Sequence, residues 1–299
     1  MKTPKISVAI STRNRYQGLM HNLGSLLSQD IIPDEIIVVD NNSKDQTKQA
    51  VESIAKTSRC LIKYVRENKK GYPFVYNKGL KSATNDWVAF LDDDCVATHD
   101  WCQNIIKAIK KFPHTIVLLG KSDPLQINNP LGLTESFIKS LGLYKVNQKK
   151  EVLDFEILDS KNIIYNKQFL VKNKIRFDES LVLLGGGSSE DCDLGMQIQR
   201  AGGRAIYEPK IEIFHKEIID FTSYYQKLIS RAKDHLVYEK KWQEYRREMG
   251  FKKVGFWLVM RSLWFFIKEK KLNFIQAFLV VANVGLSFMI IKIINLFYE

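Results

Sequence analysis

The 299 residues are 45% hydrophobic and 26% charged, which excludes an intrinsically disordered chain and suits one large domain or two modest ones. The net charge of +12 predicts an anionic partner, for which nucleic acid, an anionic bilayer and a phosphorylated substrate all qualify. The four cysteines are irregularly spaced and no secretory signal precedes the first apolar run, so we expect a reduced, cytoplasmic protein.

Short apolar runs alternate with polar helical stretches through the first third of the chain. The runs predicted to be buried strands are residues 6–11, 35–40, 61–65 and 87–91. The stretches predicted to be helices are residues 17–28, 46–56 and 75–82. Near-continuous apolar strands separated by helices predict an α/β fold with a mostly parallel central sheet covered by helices on both faces.

The pattern weakens over residues 122–150, where Pro, Gly and Asn predict a variable, irregular connection. Regular structure is predicted to resume over 154–165 and in a compact unit over 176–215. Residues 221–248, rich in Tyr, Lys and Arg, predict a charged helix.

The C-terminal tail combines basic charge with two apolar stretches. From Lys216 onwards there are 15 Lys/Arg against 8 Asp/Glu, a balance of +7. The stretch 254–267 carries Arg261, whereas 274–291 is uncharged for 18 residues, the lower limit for a spanning helix. We predict a helical hairpin on, or anchored in, the cytoplasmic face of a membrane. Packing on the rest of the chain, or on a second copy in a homodimer, is the alternative.

Three consecutive carboxylates, Asp92, Asp93 and Asp94, follow the apolar run 87–91. Because side chains alternate along an extended backbone, Asp92 and Asp94 point to the same side and repel each other. Carboxylate oxygens suit hard cations such as Mg2+ or Mn2+, which complete their coordination with phosphate oxygens. The motif predicts a metal and phosphate site, or else a polar turn in which Asp94 caps the next helix.

The segment 185–193, GGGSSEDCD, is a second acidic cluster. Ser188 and Asp191 have the spacing of a capping box, which places Glu190 and Asp191 in the first turn of a helix. The helix dipole there favours their ionised forms. An ionised carboxylate beside a glycine-rich loop can act as a general base. Simple charge–dipole capping is the alternative.

Further polar residues follow other apolar runs. Asp40 ends the second predicted strand, and the NNS after it suits either a nucleobase or an Asx-type turn. In STRNR, after the first strand, an Arg can pair with phosphate, although Arg15 equally fits a solvated helix. His215 ends another short apolar run, where a lone His is more often packed or exposed than a ligand. Ligands of such sheets bind beyond the carboxyl ends of the strands.

Taken in order, five segments resemble the family 2 glycosyltransferases with the GT-A fold. The segments are SVAISTRNR, DEIIVVDNNSKDQT, GYPFVYNKGL, WVAFLDDDC and FDESLVLLGGGSSEDCDLGMQIQRAGGRAIYEP. They run from about residue 5 to 215, with 122–150 unmatched. One position departs from the pattern, because Tyr76 stands where many relatives have Arg.

The resemblance implies roles for particular residues. Asp191 would be the catalytic base, with a divalent cation, Mn2+ or Mg2+, as cofactor. The implied metal ligands are Asp94, His215 and Asp92. The implied nucleotide-sugar contacts are Ser11, Thr12, Arg13, Asp40, Asn77, Lys78, Asp92 and Asp93. The implied acceptor contacts are Gly186, Gly187 and Glu190.

We accordingly predict a GT-A catalytic domain over residues 1–216, followed by a charged helical segment over 217–250 and the apolar hairpin over 251–299. Within the catalytic domain, residues 1–121 form the nucleotide-binding half and 122–216 the acceptor-binding half.

The expected reaction is inverting transfer from a nucleotide-sugar, a UDP-sugar being favoured, to a carbohydrate or lipid-linked acceptor in surface polysaccharide or glycolipid synthesis. A nucleotidyltransferase is an alternative, but STRNR lacks the glycine of a phosphate loop. A non-catalytic membrane-associated partner protein would explain the tail but not the carboxylates. Nucleic acid is not an expected partner, because no recognition motif is present.

Overall fold

The computed structural model describes residues 3–126, 128–184, 189–216, 220–251 and 255–298, without the side chains of 144, 183, 184, 297 and 298. The strands are β1 (Ile6–Thr12), β2 (Glu35–Asp40), β3 (Leu61–Arg66), β4 (Trp87–Asp92), β5 (Cys95–Ala97), β6 (Val117–Pro124), β7 (Glu151–Val152), β8 (Asn162–Asn166) and β9 (Ala205–His215). The helices are α1 (Tyr16–Leu27), α2 (Thr47–Thr57), α3 (Tyr72–Ser82), α4 (Trp101–Lys111), α5 (Pro130–Ser140), α6 (Lys167–Lys172), α7 (Glu190–Arg200), α8 (Phe221–Glu248), α9 (Phe256–Glu269) and α10 (Phe274–Tyr298).

The strands form a single sheet in the order β3-β2-β1-β4-β8-β6-β9-β5, with β7 paired to β9. β1 to β4 are mutually parallel, β6 and β9 are parallel, and β8 runs antiparallel between β4 and β6. The prediction of a mostly parallel sheet is therefore confirmed.

Side chains alternate between two cores on opposite faces of the sheet. In β1, Val8 and Ile10 face the core that contains α1 and α4, whereas Ala9 faces the core that contains α3 and α7. Both faces of the sheet are thus covered by helices, as predicted. This double burial explains why the strands are nearly continuous apolar runs.

The sheet brings polar residues from distant parts of the chain to one edge. The carboxyl ends of β1, β2 and β4 are adjacent, since Thr12 pairs with Asp40 and Ser11 with Asp92. β8 begins at this edge, because it runs antiparallel to β4 and its Asn162 pairs with Leu91. β9 ends here, where His215 pairs with Cys95 of β5.

The expectation of an irregular connection over 122–150 is wrong for α5. The Asn129 side chain caps this helix by accepting hydrogen bonds from the backbone of Leu131 and Gly132, at 2.9 and 3.0 Å. Pro130 occupies the first turn, where its missing N–H costs nothing. The Asn and Pro that suggested a loop are therefore helix-start signals.

The tail forms α8, α9 and α10, and the last two pack against α5. A third apolar cluster joins α5, α9 and α10 around Phe137, Leu263 and Val284. α8 contacts α7 through a hydrogen bond of 2.7 Å from Trp242 Nε1 to Asp193 Oδ1. By length and composition the α10 segment Phe274–Leu296 could cross a membrane, although a core helix of a soluble protein passes the same test. The division into domains stays a prediction.

Gly120, at a register shift between β6 and β9, is expected to tolerate no side chain. A Cβ atom there would lie 2.2 Å from Asn162 Nδ2 and 2.4 Å from the Ile211 carbonyl oxygen. We expect Gly120→Ala to destabilise the protein by about 1–3 kcal/mol, measured by urea unfolding. Gly24→Ala in α1 is the control, since a Cβ meets nothing within 4 Å there. It should stabilise by about 0.5–1 kcal/mol, and equal effects at the two positions would contradict this packing.

Candidate active site

Two of the three carboxylates at the end of β4 are held by the last residue of β1 and by a residue just after it. Thr12 Oγ1 donates a hydrogen bond of 2.7 Å to Asp93 Oδ2. The Arg15 guanidinium lies 3.2 Å from Asp93 Oδ1 and 2.9 Å from Asp94 Oδ2. Arg15 therefore offsets part of the repulsion among the carboxylates. The sequence left Arg15 open as a solvated helix residue.

Asp94 and His215 come together because β5 pairs with the end of β9. Their closest atoms, Asp94 Oδ1 and His215 Nε2, are 3.3 Å apart. With Cys95 they offer three ligand atoms that all lie within 4.8 Å of one another. Asp92, the other predicted ligand, is not part of this group of described residues.

The pKa values of Asp92 and Asp94 are shifted in opposite directions. Burial and the neighbouring Asp94 raise the pKa of Asp92 to about 6. Burial also acts to raise the pKa of Asp94, but its hydrogen bond and charge interaction with His215, together with Arg15, lower it to about 2. Asp94 therefore stays fully ionised well below neutral pH, which suits a cation ligand, whereas Asp92 takes up a proton as soon as the pH falls below about 6.

Asp191 lies in the first turn of α7, where its carboxylate is held by Ser160, two residues before β8 begins. The Ser160 backbone N–H donates a hydrogen bond of 3.0 Å to Asp191 Oδ2, and the Ser160 hydroxyl donates to Asp191 Oδ1. Burial, Asp159 and Asp92 raise the pKa of Asp191 to about 7, against the lowering effect of these hydrogen bonds. A carboxyl with this pKa can both accept and release a proton near neutral pH.

The β4 carboxylates and the start of α7 lie close enough for their charges to interact. Asp92 contributes to the raised pKa of both Asp191 and Glu190. Tyr72, the first residue of α3, has its pKa raised to about 12 by desolvation, with contributions from Asp92 and Glu190. The charges of both acidic segments therefore reach the same phenol, which indicates that the two segments lie near each other.

Glu190 is buried at the N-terminus of α7. Burial and the neighbouring Asp191 raise its pKa well above the usual range. Its Oε2 is a buried oxygen without a hydrogen-bond partner among the described residues. Such an oxygen is available to a ligand hydroxyl. α7 has Ser189 as its N-cap, one residue later than the capping box predicted.

The other predicted nucleotide contacts occupy the neighbouring strand ends. Asp40 is buried and accepts hydrogen bonds from the Tyr64 hydroxyl, at 2.5 Å, and from the Ser43 backbone, at 2.9 Å. Ser11 is half-buried beside Asp92, and Arg13 is exposed.

Asn77 has a visible structural role. Its carboxamide bonds both to the Phe177 carbonyl, at 2.9 Å, and to the Phe177 N–H, at 3.0 Å. It therefore fastens α3 to the segment before α7, and its nucleotide contact stays a prediction, as does that of the half-buried Lys78. Tyr76, where the sequence departs from the family pattern, is buried against Phe90 and Phe177. Gly186 and Gly187 lie outside the described residues.

A family model described as "Glycosyl transferase family 2" matches residues 7–172, more than half of the chain. The chain belongs to glycosyltransferase family 2. Membership favours the glycosyltransferase prediction over the nucleotidyltransferase and the non-catalytic partner protein.

Two curated relatives of this glycosyltransferase carry informative names. The chain is 39% identical over 92 residues to the GalNAc(5)-diNAcBac-PP-undecaprenol beta-1,3-glucosyltransferase of Campylobacter jejuni, covering 30% of each protein. It is 20% identical over 255 residues to the glucosyl-dolichyl phosphate glucuronosyltransferase of Haloferax volcanii, covering 82% of this chain and 77% of the relative. The matched region spans about a third of the length of the first three curated relatives.

Solved structures resemble the glycosyltransferase over most of its length. Mannosyltransferase PcManGT from Pyrobaculum calidifontis, in complex with GDP-Man and Mn2+, has a TM-score of 0.57 at 20% identity, covering 95% of this chain and 76% of that one. S. aureus TarS 1-349, in complex with UDP-GlcNAc, has a TM-score of 0.56 at 21% identity, covering 88% and 81%. These likenesses show the GT-A fold, as predicted.

Proposed function

We propose that this protein transfers a sugar from a nucleotide-sugar donor to an acceptor hydroxyl, with inversion at the anomeric carbon and dependence on a divalent cation. The observation that carries the proposal is that the charge of Asp92, at the end of β4, acts on both Asp191 and Glu190 at the start of α7, which supports a shared site. The carboxylates at the end of β4 suit a cation that binds the donor diphosphate. The carboxylates at the start of α7 suit removal of a proton from the acceptor.

Asp191 acts as the general base. Its carboxylate takes the proton of the acceptor hydroxyl as that oxygen attacks the anomeric carbon from the face opposite the diphosphate. The two hydrogen bonds from Ser160, one to each oxygen, fix the orientation of the carboxylate, and each oxygen keeps a second lone pair that can take the acceptor proton. A base with a pKa of about 7 is half ionised at neutral pH. Glu190 receives a hydrogen bond from the acceptor at its buried Oε2.

The residues at the end of β4 fit a hard divalent cation. Asp94 is ionised and His215 offers a ring nitrogen beside it, whereas burial raises the pKa of the Cys95 thiol well above its usual range. A protonated thiol does not compete for Mn2+ or Mg2+, so Asp94 and His215 are the ligands, with Asp92 close by. When bound there, such a cation supplies positive charge opposite the departing diphosphate.

Thr12, Arg13 and Asp40 contribute to the nucleotide site at the adjacent strand ends. The solved structures named above contain UDP-GlcNAc and GDP-Man, which supports a nucleotide-sugar donor, and we favour a UDP-sugar. Arg15, already paired with Asp93 and Asp94, lies where it can also contact the diphosphate.

The acceptor is carbohydrate or lipid-linked, and the protein works at the cytoplasmic face of a membrane in surface polysaccharide or glycolipid synthesis. Two relatives carry lipid-phosphate acceptors in their names, which supports this acceptor class. α9 and α10 expose large apolar side chains, among them Trp257 at 82% and Phe274 at 84%. Basic residues flank these helices, as expected for an anionic bilayer surface.

A nucleotide-sugar panel tests the function directly. We expect one UDP-sugar to raise the melting temperature in the presence of Mn2+, and to be turned over with release of UDP when acceptor is added. The same panel with EDTA is the control. Stabilisation by none of the common UDP-, GDP- or dTDP-sugars, with or without Mn2+, would contradict the proposal.

A further inference from the structure

A cavity of about 250 Å³ lies between α5, α8, α10 and the start of α7. Ser189 and Cys192 line it from α7, and both are neighbours of the proposed base in the chain. Pockets for drug-sized ligands have volumes of about 300–1,000 Å³, so this one suits a fragment such as a phosphate rather than a whole nucleotide-sugar.

The cavity is walled by a network of ion pairs that carries excess positive charge. Lys139 and Arg231 lie 3.2 and 2.9 Å from the buried Glu135 carboxylate, and Lys227 lies 3.9 Å from it. The network extends through Asp159, which lies 3.8 Å from Lys139 and 3.2 Å from Lys161. Of these six groups, three cations and the Glu135 carboxylate line the cavity itself, so its lining carries a charge of about +2 when all four are ionised.

Lys227 shows the effect of this crowding. Burial and the neighbouring Arg231 lower the pKa of Lys227 to about 8, although Glu135 acts in the opposite direction. An anion in the cavity would act in the same direction as Glu135, because a nearby negative charge favours the protonated amine.

The cavity lies beside the proposed reaction centre. Cys192, which lines the cavity, directly follows Asp191 in the first turn of α7, and Ser160, which donates both hydrogen bonds to Asp191, directly follows Asp159 of the ion-pair network. A group bound in the cavity therefore sits next to the acceptor side of the site.

α10 connects the cavity to the apolar surface. Ile291 and Asn295 line the cavity, whereas Met289, Ile293 and Leu296 are 55%, 45% and 71% exposed on the same helix. A ligand with a phosphate in the cavity can therefore extend an apolar chain along α10 towards a bilayer.

We propose that this cavity binds the phosphate of a lipid-linked acceptor through Lys139, Lys227 and Arg231. The proposal rests on the proposed function and specifies its acceptor as a polyprenyl phosphate or diphosphate. The phosphate anchors the acceptor while its sugar hydroxyl faces Asp191.

Co-sedimentation of the full chain with vesicles tests the site without any transfer reaction. We expect binding to phosphatidylcholine vesicles that contain polyprenyl phosphate to be about tenfold tighter than to vesicles with the uncharged polyprenol, as for the gain of a charge-assisted contact. Vesicles with the same fraction of phosphatidylglycerol control for general attraction to anionic lipid. Equal binding to polyprenyl phosphate and to phosphatidylglycerol would overturn the proposal.

Lys227→Gln should lower the preference for polyprenyl phosphate over polyprenol by about tenfold. Lys240→Gln, at an exposed position on the same helix, should leave this preference unchanged. Melting temperatures check the fold of both variants, and the wild-type comparison stands if either fails to fold. A Lys227→Gln variant that loses UDP affinity in Mn2+ but keeps its vesicle preference would assign the cavity to the donor diphosphate instead. If no nucleotide-sugar of the panel binds, the proposed transferase function is wrong, whereas the vesicle experiment still decides whether the cavity binds a lipid phosphate.

Discussion

Asp191→Asn is expected to lower sugar transfer by about 10²–10⁴-fold, the range for loss of a general base. Nucleotide affinity should stay within about twofold, because Asn keeps the size of the side chain and can still pair with Ser160. Single-turnover transfer and UDP titration in Mn2+ measure the two effects separately. Turnover close to wild type would remove Asp191 from its role.

Asp191→Asn should also raise the melting temperature. We expect an increase of several degrees when the pH is above 7, and no increase when the pH is below about 4. The Asp191 pKa is raised from 3.8 to about 7 in the folded state. Between these values the unfolded chain ionises more readily than the folded one, so the wild type loses stability as pH rises. Thermal unfolding of the protein without nucleotide or metal, across this pH range, measures the difference.

The pH–rate profile separates a base from a merely structural carboxylate. Wild-type turnover should fall about tenfold per unit below pH 7, because only ionised Asp191 accepts the proton. Ser160→Ala is the matched variant, since it removes the hydroxyl that stabilises the ionised form. It should move the lower limb of the profile to higher pH, and an unmoved limb would count against the Ser160–Asp191 pair.

Three of the four parallel strands, β1, β2 and β4, were predictable because each is buried on both faces. Residues 36–39 of β2 alternate between the two cores, so every position is apolar and the run reads directly from the sequence. β5 was not predicted, since three residues after an acidic turn carry no periodic signal.

The meeting of Asp94 with His215 was expected only from the family resemblance. Their contact depends on the pairing of β5 with the end of β9, and no local pattern encodes a register between strands so distant in the chain. The interaction of Asp191 with Asp92 likewise depends on where α7 packs.

Ser160 and Asp159 were missed for a related reason. They lie at the site because β8 runs antiparallel to β4, so the residues before this strand reach the edge where β4 ends. A parallel β8 would have placed them at the far edge, and apolar runs do not reveal direction. The segment LDSK, directly before NIIY, was the available signal. Arg15 was ambiguous because its role depends on Asp93 and Asp94, nearly 80 residues away.

Removal of the divalent cation is expected to lower turnover by about 10³-fold or more, because stabilisation of the departing diphosphate is worth several kcal/mol. EDTA should abolish transfer, and Mn2+ or Mg2+ should restore it. Asp94→Asn and His215→Gln should each raise the Mn2+ concentration for half-maximal rate by about tenfold or more, since each removes one ligand from the pair that lies 3.3 Å apart.

Cys95→Ala is the control for this ligand assignment. Cys95 lies within the same group of three ligand atoms, but its raised pKa keeps the thiol protonated and a poor ligand for a hard cation. The Mn2+ concentration that Cys95→Ala needs for half-maximal rate should therefore match that of the wild type. A small loss of stability is the expected effect of this variant. A weakened Mn2+ response in Cys95→Ala would point to a softer metal such as Zn2+, and full activity in EDTA would exclude the cation from the reaction. A weaker Mn2+ response in Asp94→Asn and His215→Gln, together with an unchanged response in Cys95→Ala, identifies a metal site with oxygen and nitrogen ligands.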